Sequence, residues 1–158
     1  MRILLDTCTF LWLAEGDVSL SARAREAIVD PSNEVYLSPT SVWEIVIKHA
    51  LGRLELELAV ERYVPEQRAL HRIDTLPVTE DAALQLVKLP PHHRDPFDRL
   101  LVAQAGAEGC TIAAPDAPIR RCPVSTIWQS RCDLSDLVGA VVVVDPDRVR
   151  VRRKPAFG

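Results

Sequence analysis

The sequence predicts an α/β fold: a three-layer α/β/α sandwich in which helices cover both faces of a central parallel sheet of four to five strands. Short apolar runs alternate along the chain with longer segments of helical pattern, as expected when each strand is followed by a crossover helix. The first of these runs, Ile3-Leu4-Leu5, is continuously apolar, which is typical of a strand buried on both faces. A chain of 158 residues is long enough for one domain with a sizeable core.

In the first half of the chain, capping residues delimit the predicted elements. Ser38 and Pro39 supply a cap and a first-turn proline for a helix that Gly52 ends, while Pro65 predicts a break, a kink or a second start in a later helical stretch. The predicted elements are a strand at 3–5, a helical turn at 10–14, a helix at 21–30, a strand at 35–37, a helix at 42–51 and a helical stretch at 58–71.

The second half repeats this order. Thr79 is the expected cap of one helix, and Asp95-Pro96 begins another that ends at Gly109. The predicted elements are a strand at 73–78, a helix at 79–89, a loop at 90–94, a helix at 97–108, a strand at 111–113 and a possible fifth strand at 124–128.

The last thirty residues differ in pattern from the rest. A run of valines at 140–144 and an alternating segment at 148–152 flank Asp145-Pro146-Asp147, which is typical of a β-hairpin with one wet face. We therefore expect a domain over 1–128 and a C-terminal extension over 129–158. The extension could be an added edge hairpin, a dimerisation arm or a flexible tail.

Charge and cysteine content limit the classes of function. The formal net charge is −3, with −5 in residues 1–128 and +2 in the remainder, so no strong global field attracts a polyanion. The N-terminal apolar run stops at Asp6, unlike a signal peptide, and no run is long enough to span a membrane. The four cysteines have no C-x-x-C spacing, which favours free thiols and a cytoplasmic location.

Four acidic residues are placed to meet at one edge of the predicted sheet. Asp6 ends the first strand, and Asp116 follows the strand at 111–113; Glu44 and Asp98 lie early in two of the helices. Ligands of open parallel sheets bind beyond the carboxyl ends of the strands. A hard divalent cation such as Mg²⁺ would relieve the repulsion among four carboxylates and could activate water for hydrolysis of a phosphodiester.

Each of these acids also has a purely structural interpretation. Asp98 could favour the dipole of a helix that Asp95 caps, Glu44 has capping-box spacing from Ser41, and Asp116 could cap a short helix. Asp6 is harder to explain in this way, because an acid that ends a buried strand needs a partner or a metal ion.

Four segments resemble the PIN-domain family, in particular the VapC-type ribonuclease toxins of bacterial type II toxin–antitoxin systems. They span residues 1–128 in the family's order, and HHRDPFDRLLVAQA is the most specific. The segments are Ile3-Leu4-Leu5-Asp6-Thr7, SPTSVWEIVIK at 38–48 with Gly52-Arg53-Leu54, HHRDPFDRLLVAQA at 92–105, and Asp116 after a strand.

The resemblance implies a PIN-like fold and a Mg²⁺- or Mn²⁺-dependent endoribonuclease, with RNA as substrate, a homodimeric state and a cognate VapB-type antitoxin. By position, the acids match the family's metal-binding and catalytic quartet, Thr7 matches a hydroxyl residue beside the first acid, and Asp95 matches a further supporting acid. The quartet comprises Asp6, Glu44, Asp98 and Asp116. Ala114 stands where the family often has threonine, two residues before the fourth acid.

Two arginines beside the third acid, Arg94 and Arg99, are candidate RNA-phosphate contacts, although either could simply solvate the surface. The alternative to an endoribonuclease is a catalytically silent PIN domain that binds RNA or a partner protein. A phosphatase with an aspartyl nucleophile is disfavoured, because Asp6-Thr7-Cys8 lacks the D-x-D pattern at the first strand.

Overall fold

The computed structural model describes residues 1–90 and 95–128, and the backbone of 149–150. Four strands, β1 (Arg2–Leu5), β2 (Glu34–Leu37), β4 (Asp74–Thr75) and β5 (Thr111–Ala113), belong to one sheet. The sheet is parallel and has the order β4-β2-β1-β5, which confirms the predicted α/β class. The helices are α1 (Thr7–Glu15), α2 (Ala22–Val29), α3 (Pro39–Ala50), α4 (Val60–His71), α5 (Glu80–Leu84), α6 (Pro96–Glu108) and α7 (Ala117–Arg120).

Strand β1 lies inside the sheet, with β2 on one side and β5 on the other. Its register pairs Leu5 with both Leu37 and Ala113, so three strands reach their carboxyl ends at the same level. Residues 3–5 are fully buried, as the continuous apolar run predicts. Two apolar clusters pack around the sheet; Leu5 belongs to one and Leu4 to the other.

Several helix ends follow the predicted capping chemistry. The Ser38 side chain accepts a hydrogen bond from the backbone N–H of Thr40, with Pro39 in the first turn of α3. Helix α6 begins at Asp95-Pro96 and ends at Gly109, whose φ of 63° lies in the left-handed region that glycine adopts at little cost. The sequence pattern therefore places both helices that carry candidate acids.

Some predicted elements differ from the observed ones. Helix α4 is continuous through Pro65, so a break or second start is wrong; a proline removes only one helical hydrogen bond, and burial of Tyr63 and Val64 stabilises this face of the helix. The helix predicted at 79–89 is α5 followed by a 3-10 helix, Gln85–Lys88. The possible fifth strand contributes only an isolated bridge between Ile112 and Thr126.

A second, two-stranded sheet was not predicted. Strand β3 (Leu54–Glu55) pairs in parallel with β6 (Val149–Arg150), so a segment of the C-terminal extension lies beside the connection between α3 and α4. The rest of the predicted hairpin, and the loop residues 91–94, lie outside the described residues. Among the described helices, none combines the length and hydropathy needed to cross a lipid bilayer.

Gln104 of α6 is a fully buried polar side chain that the sequence analysis did not single out. Its Nε2 donates hydrogen bonds to the carbonyl oxygens of Leu76 (2.8 Å) and Pro77 (3.0 Å), which follow β4. These contacts connect α6 to the segment that leads from the edge strand to α5.

Replacement of Gln104 by leucine should lower the free energy of unfolding by about 1–3 kcal/mol, because two carbonyl oxygens lose their donor while side-chain volume is nearly kept. Urea denaturation measures the change. Gln85→Leu, at a half-buried position of the 3-10 helix, is the control and should have a smaller effect. Equal losses in both variants would show that the Gln104 hydrogen bonds contribute nothing specific.

Truncation after Gln129 should expose the β3 edge, because it removes the β6 segment that pairs with it. We expect faster amide hydrogen exchange at Leu54 and Glu55, with unchanged exchange in β1. Exchange at β3 that is the same in the truncated and full-length chains would mean that the β3–β6 pairing contributes no protection in solution.

Candidate active site

Asp6 lies directly after β1 and begins α1, so it stands at the carboxyl edge of the sheet. Its backbone N–H donates to the carbonyl oxygen of Ala113 (3.2 Å), and its Oδ1 accepts a hydrogen bond from the N–H of Thr9 (2.7 Å). The residue is only 3% exposed. Burial, reinforced by the charges of Asp116 and Glu44, raises the pKa of Asp6 to about 7, although the Thr9 hydrogen bonds oppose this shift.

Glu44 reaches the same region from α3, and both of its carboxylate oxygens are engaged. Oε2 accepts a hydrogen bond from the Thr7 hydroxyl, and Oε1 lies 2.7 Å from Nζ of Lys48, one helical turn further along α3. The residue is buried, whereas the Lys48 side chain retains 31% exposure. Although burial lowers the pKa of Lys48, its hydrogen bond with Glu44 and that residue's charge bring it above the ordinary lysine value.

Asp98 lies in the first turn of α6. Burial first, and then the negative charges of Asp95, Asp116, Asp6 and Glu44, raise the pKa of Asp98 to about 8. Asp95 itself is exposed and caps the helix, because its Oδ1 accepts hydrogen bonds from the N–H groups of Phe97 (2.8 Å) and Asp98 (3.3 Å). Asp98 is thus held on the first turn with its carboxyl among other acids.

Asp116 follows β5 by three residues and occupies the position before α7, but its side chain makes no capping hydrogen bond. Its charge raises the pKa of both Asp6 and Asp98. Glu44 and Asp116 thus act electrostatically on Asp6, and all three act on Asp98. This agrees with the topology, in which the segments that carry the acids follow strands that end at one edge of the sheet. Their roles as metal ligands and catalytic groups remain predictions.

The other predicted site residues have mixed placements. Thr7 is buried beside the acids and donates to Glu44, whereas Arg94 lies outside the described residues. Arg99 is half-buried, and its guanidinium donates to the carbonyl oxygens of Pro90 (3.0 Å) and Leu86 (3.3 Å), so it ties α6 to the preceding segment. Its contact with RNA phosphates remains a prediction.

Two residues at the site were not singled out by the sequence analysis. Lys48 pairs with Glu44, and its i,i+4 spacing on a predicted helix was the available signal. Trp43 is 57% exposed and meets Phe97 edge-on at 5.0 Å, and each of these aromatic residues directly precedes one of the acids. Burial and then the charge of Asp6 raise the pKa of the Cys8 thiol well above its ordinary value, which disfavours the reactive thiolate.

The donor set fits a hard divalent cation by its chemistry, because it consists of carboxylate oxygens that carry excess negative charge. In the described residues, however, the acidic side chains do not have the arrangement of a metal site. Across 1–90 and 95–128, no three His, Cys, Asp or Glu side chains are grouped so that they could hold one ion together. Glu44 is instead engaged by Thr7 and Lys48.

Residues 3–123 match the PIN domain family. The chain belongs to this family. The match spans all four acids and ends before the C-terminal extension. No curated protein matches the chain.

Solved structures of toxin–antitoxin complexes share the fold of this PIN domain. A chain of VapBC2 from Rickettsia felis, bound to a promoter DNA fragment, aligns with a TM-score of 0.62 at 13% identity, covering 80% of this chain and 98% of that one. Chains of DNA-bound VapBC from Salmonella typhimurium (0.58) and of VapBC-1 from nontypeable Haemophilus influenzae (0.56) align at 18% identity; each alignment covers 80% of this chain and 97% of the other.

We expect the buried acids to lower the free energy of unfolding of the metal-free PIN domain as pH rises. The pKa values of Asp6 and Asp98 in the folded protein lie above the ordinary value of 3.8, so both acids bind their protons more tightly in the folded protein than in the unfolded one. The stability that this tighter binding provides is lost as pH rises from about 4 to about 8. Asp98→Asn should therefore gain about 1–3 kcal/mol over the wild type at pH 8, and clearly less at pH 5.

Urea denaturation in EDTA at both pH values measures this difference. Asp81→Asn removes an exposed acid from the first turn of α5 and serves as the control, with little expected change between the two pH values. A loss of stability in Asp98→Asn at pH 8 would contradict the prediction.

Proposed function

We propose that this PIN domain is a Mg²⁺- or Mn²⁺-dependent endoribonuclease and the toxin of a VapBC-type pair. The observation that carries the proposal is the convergence of Asp6, Glu44, Asp98 and Asp116 at the carboxyl edge of the sheet, with two of them at raised pKa values. Such excess negative charge suits a site that receives a cation and a phosphodiester. PIN domains are generally nucleases, which agrees with this chemistry.

In the proposed site, Asp6, Glu44 and Asp98 hold the divalent ion, and Asp116 assists directly or through water. A divalent ion at these carboxylates would lower the pKa of coordinated water and offset the charge of the phosphate. The chain's own contribution is to fix the acids on rigid elements: Thr9 orients Asp6, Thr7 orients Glu44, and Asp95 caps the helix that carries Asp98. Asp98 must lose its proton before it can ligate an ion.

The proposed partners are an RNA substrate, a VapB-type antitoxin and a second copy of the chain, in the cytoplasm. The similar folds in VapBC complexes support the antitoxin. Large apolar side chains are also exposed at the surface, and we propose that some of them contact a protein partner. The most exposed of them on the later helices are Leu70 (71%), Leu84 (60%) and Val87 (87%).

One observation favours the alternative, a catalytically silent PIN domain that binds RNA or protein. Glu44 is neutralised by Lys48, and no three acids within the described residues are grouped as ligands. This alternative requires that divalent ions bind no more tightly to the wild type than to variants of the acids, so it is open to direct test.

Purified protein should cleave total bacterial RNA in Mg²⁺ or Mn²⁺ and lose this activity in EDTA. Asp6→Asn and Asp98→Asn should each lower the initial rate at least 100-fold, because each removes a proposed ligand. Denaturing gels with 5′-labelled RNA give the rates, and Asp81→Asn is the matched control for loss of an exposed acid.

Cleavage that is equal in Mg²⁺, in EDTA and in Asp6→Asn would refute the metal-dependent mechanism. RNA binding without cleavage, together with Mn²⁺ binding that is indistinguishable between the wild type and Asp98→Asn, would establish the silent alternative.

A further inference from the structure

Lys48 forms an ion pair with Glu44. Its Nζ lies 2.7 Å from Oε1, a distance that indicates a direct charge-assisted hydrogen bond. The pair is not an ordinary surface ion pair, because Glu44 is buried and the Lys48 side chain is two-thirds covered. The charge of Asp95 also contributes to the raised pKa of Lys48, in addition to the larger effect of Glu44.

The remaining oxygen of Glu44 is also engaged. Oε2 accepts the Thr7 hydroxyl, so the chain itself satisfies both carboxylate oxygens. A divalent ion that bound Glu44 through Oε1 would meet the ammonium group at the same oxygen. The two cations would repel each other at this separation, and Lys48 would have to withdraw toward solvent, which its partial exposure and flexible stem allow.

We propose that Lys48 is a built-in counter-ion that positions Glu44 in the metal-free protein and competes with the divalent ion for its Oε1. Lys48 is a positioning residue, since it acts through Glu44. The inference rests on the proposed function, because it concerns the ion that the four acids would bind. It gives a role to the engagement of both Glu44 oxygens in the metal-free protein.

The competition has two opposite consequences. Removal of the ammonium group leaves a buried carboxylate without its partner, which destabilises the metal-free protein. The same removal abolishes the competing charge, so a divalent ion binds more tightly. A lysine with a merely structural role would give the first effect without the second.

The experiment compares Lys48→Met with Lys48→Arg, which keeps the positive charge, and with Lys88→Met, which removes an exposed lysine from the 3-10 helix. Thermal unfolding in EDTA measures the stability of the metal-free state. Isothermal titration calorimetry with Mn²⁺ at pH 8, without RNA, measures ion binding. Neither readout depends on nuclease activity.

We expect Lys48→Met to unfold at a lower temperature than the wild type in EDTA and to bind Mn²⁺ about three- to tenfold more tightly. Lys48→Arg and Lys88→Met should remain close to the wild type in both measurements. Mn²⁺ binding by Lys48→Met but not by the wild type would also support the proposal, as the limiting case of strong competition.

If folded Lys48→Met binds Mn²⁺ no more tightly than the wild type does, Lys48 does not compete with the ion. The proposed nuclease function would still stand in that case, provided that the wild type binds Mn²⁺. Absence of Mn²⁺ binding in every variant overturns both. If Lys48→Met does not fold, the test uses Lys48→Gln, whose amide can still donate to Glu44, with the same two outcomes.

Discussion

Strand β1 is hydrogen-bonded to a parallel neighbour on each side, and this constraint fixes the site. Because β2, β1 and β5 end at the same level, residues that follow them emerge at one edge of the sheet. Asp6 emerges from β1 and Asp116 from the turn after β5, while α3 follows β2 and brings Glu44. Asp6 cannot move away without breaking its own cap on α1 and its backbone hydrogen bond to Ala113.

The same placement of the acids lowers the stability of the fold while it assembles the candidate site. Asp6 and Asp98 would ionise below pH 4 in water, yet the fold holds them where burial and mutual repulsion raise their pKa values to about 7 and 8. An assembly that existed only for stability would place amides or apolar groups there. The hydrogen bond from Thr9 to Asp6 and the cap that Asp95 provides for α6 offset part of this cost.

The sequence predicts much of the fold because its signals are local. The strand at 3–5, the cap at Ser38-Pro39 and the Asp95-Pro96 start each depend on a few neighbouring residues, and each is observed. Convergence of the four acids also follows, since parallel strands share an edge. Other features depend on contacts that no local pattern encodes. Strand β3 pairs with a segment almost a hundred residues away, and Gln104 donates to two carbonyl oxygens after β4. Helix α4 continues through Pro65 because its side chains are buried on one face.

Four of the acids in residues 1–128 belong to the candidate site, and two of these, Asp6 and Glu44, are buried. One lysine offsets one of the four acids, and raised pKa values allow two others to keep their protons near neutral pH. The ion pair and the raised pKa values both reduce the negative charge of the metal-free site. A divalent ion at the proposed site would have to replace the ammonium group and the protons together, so its binding would release protons and move Lys48 outward.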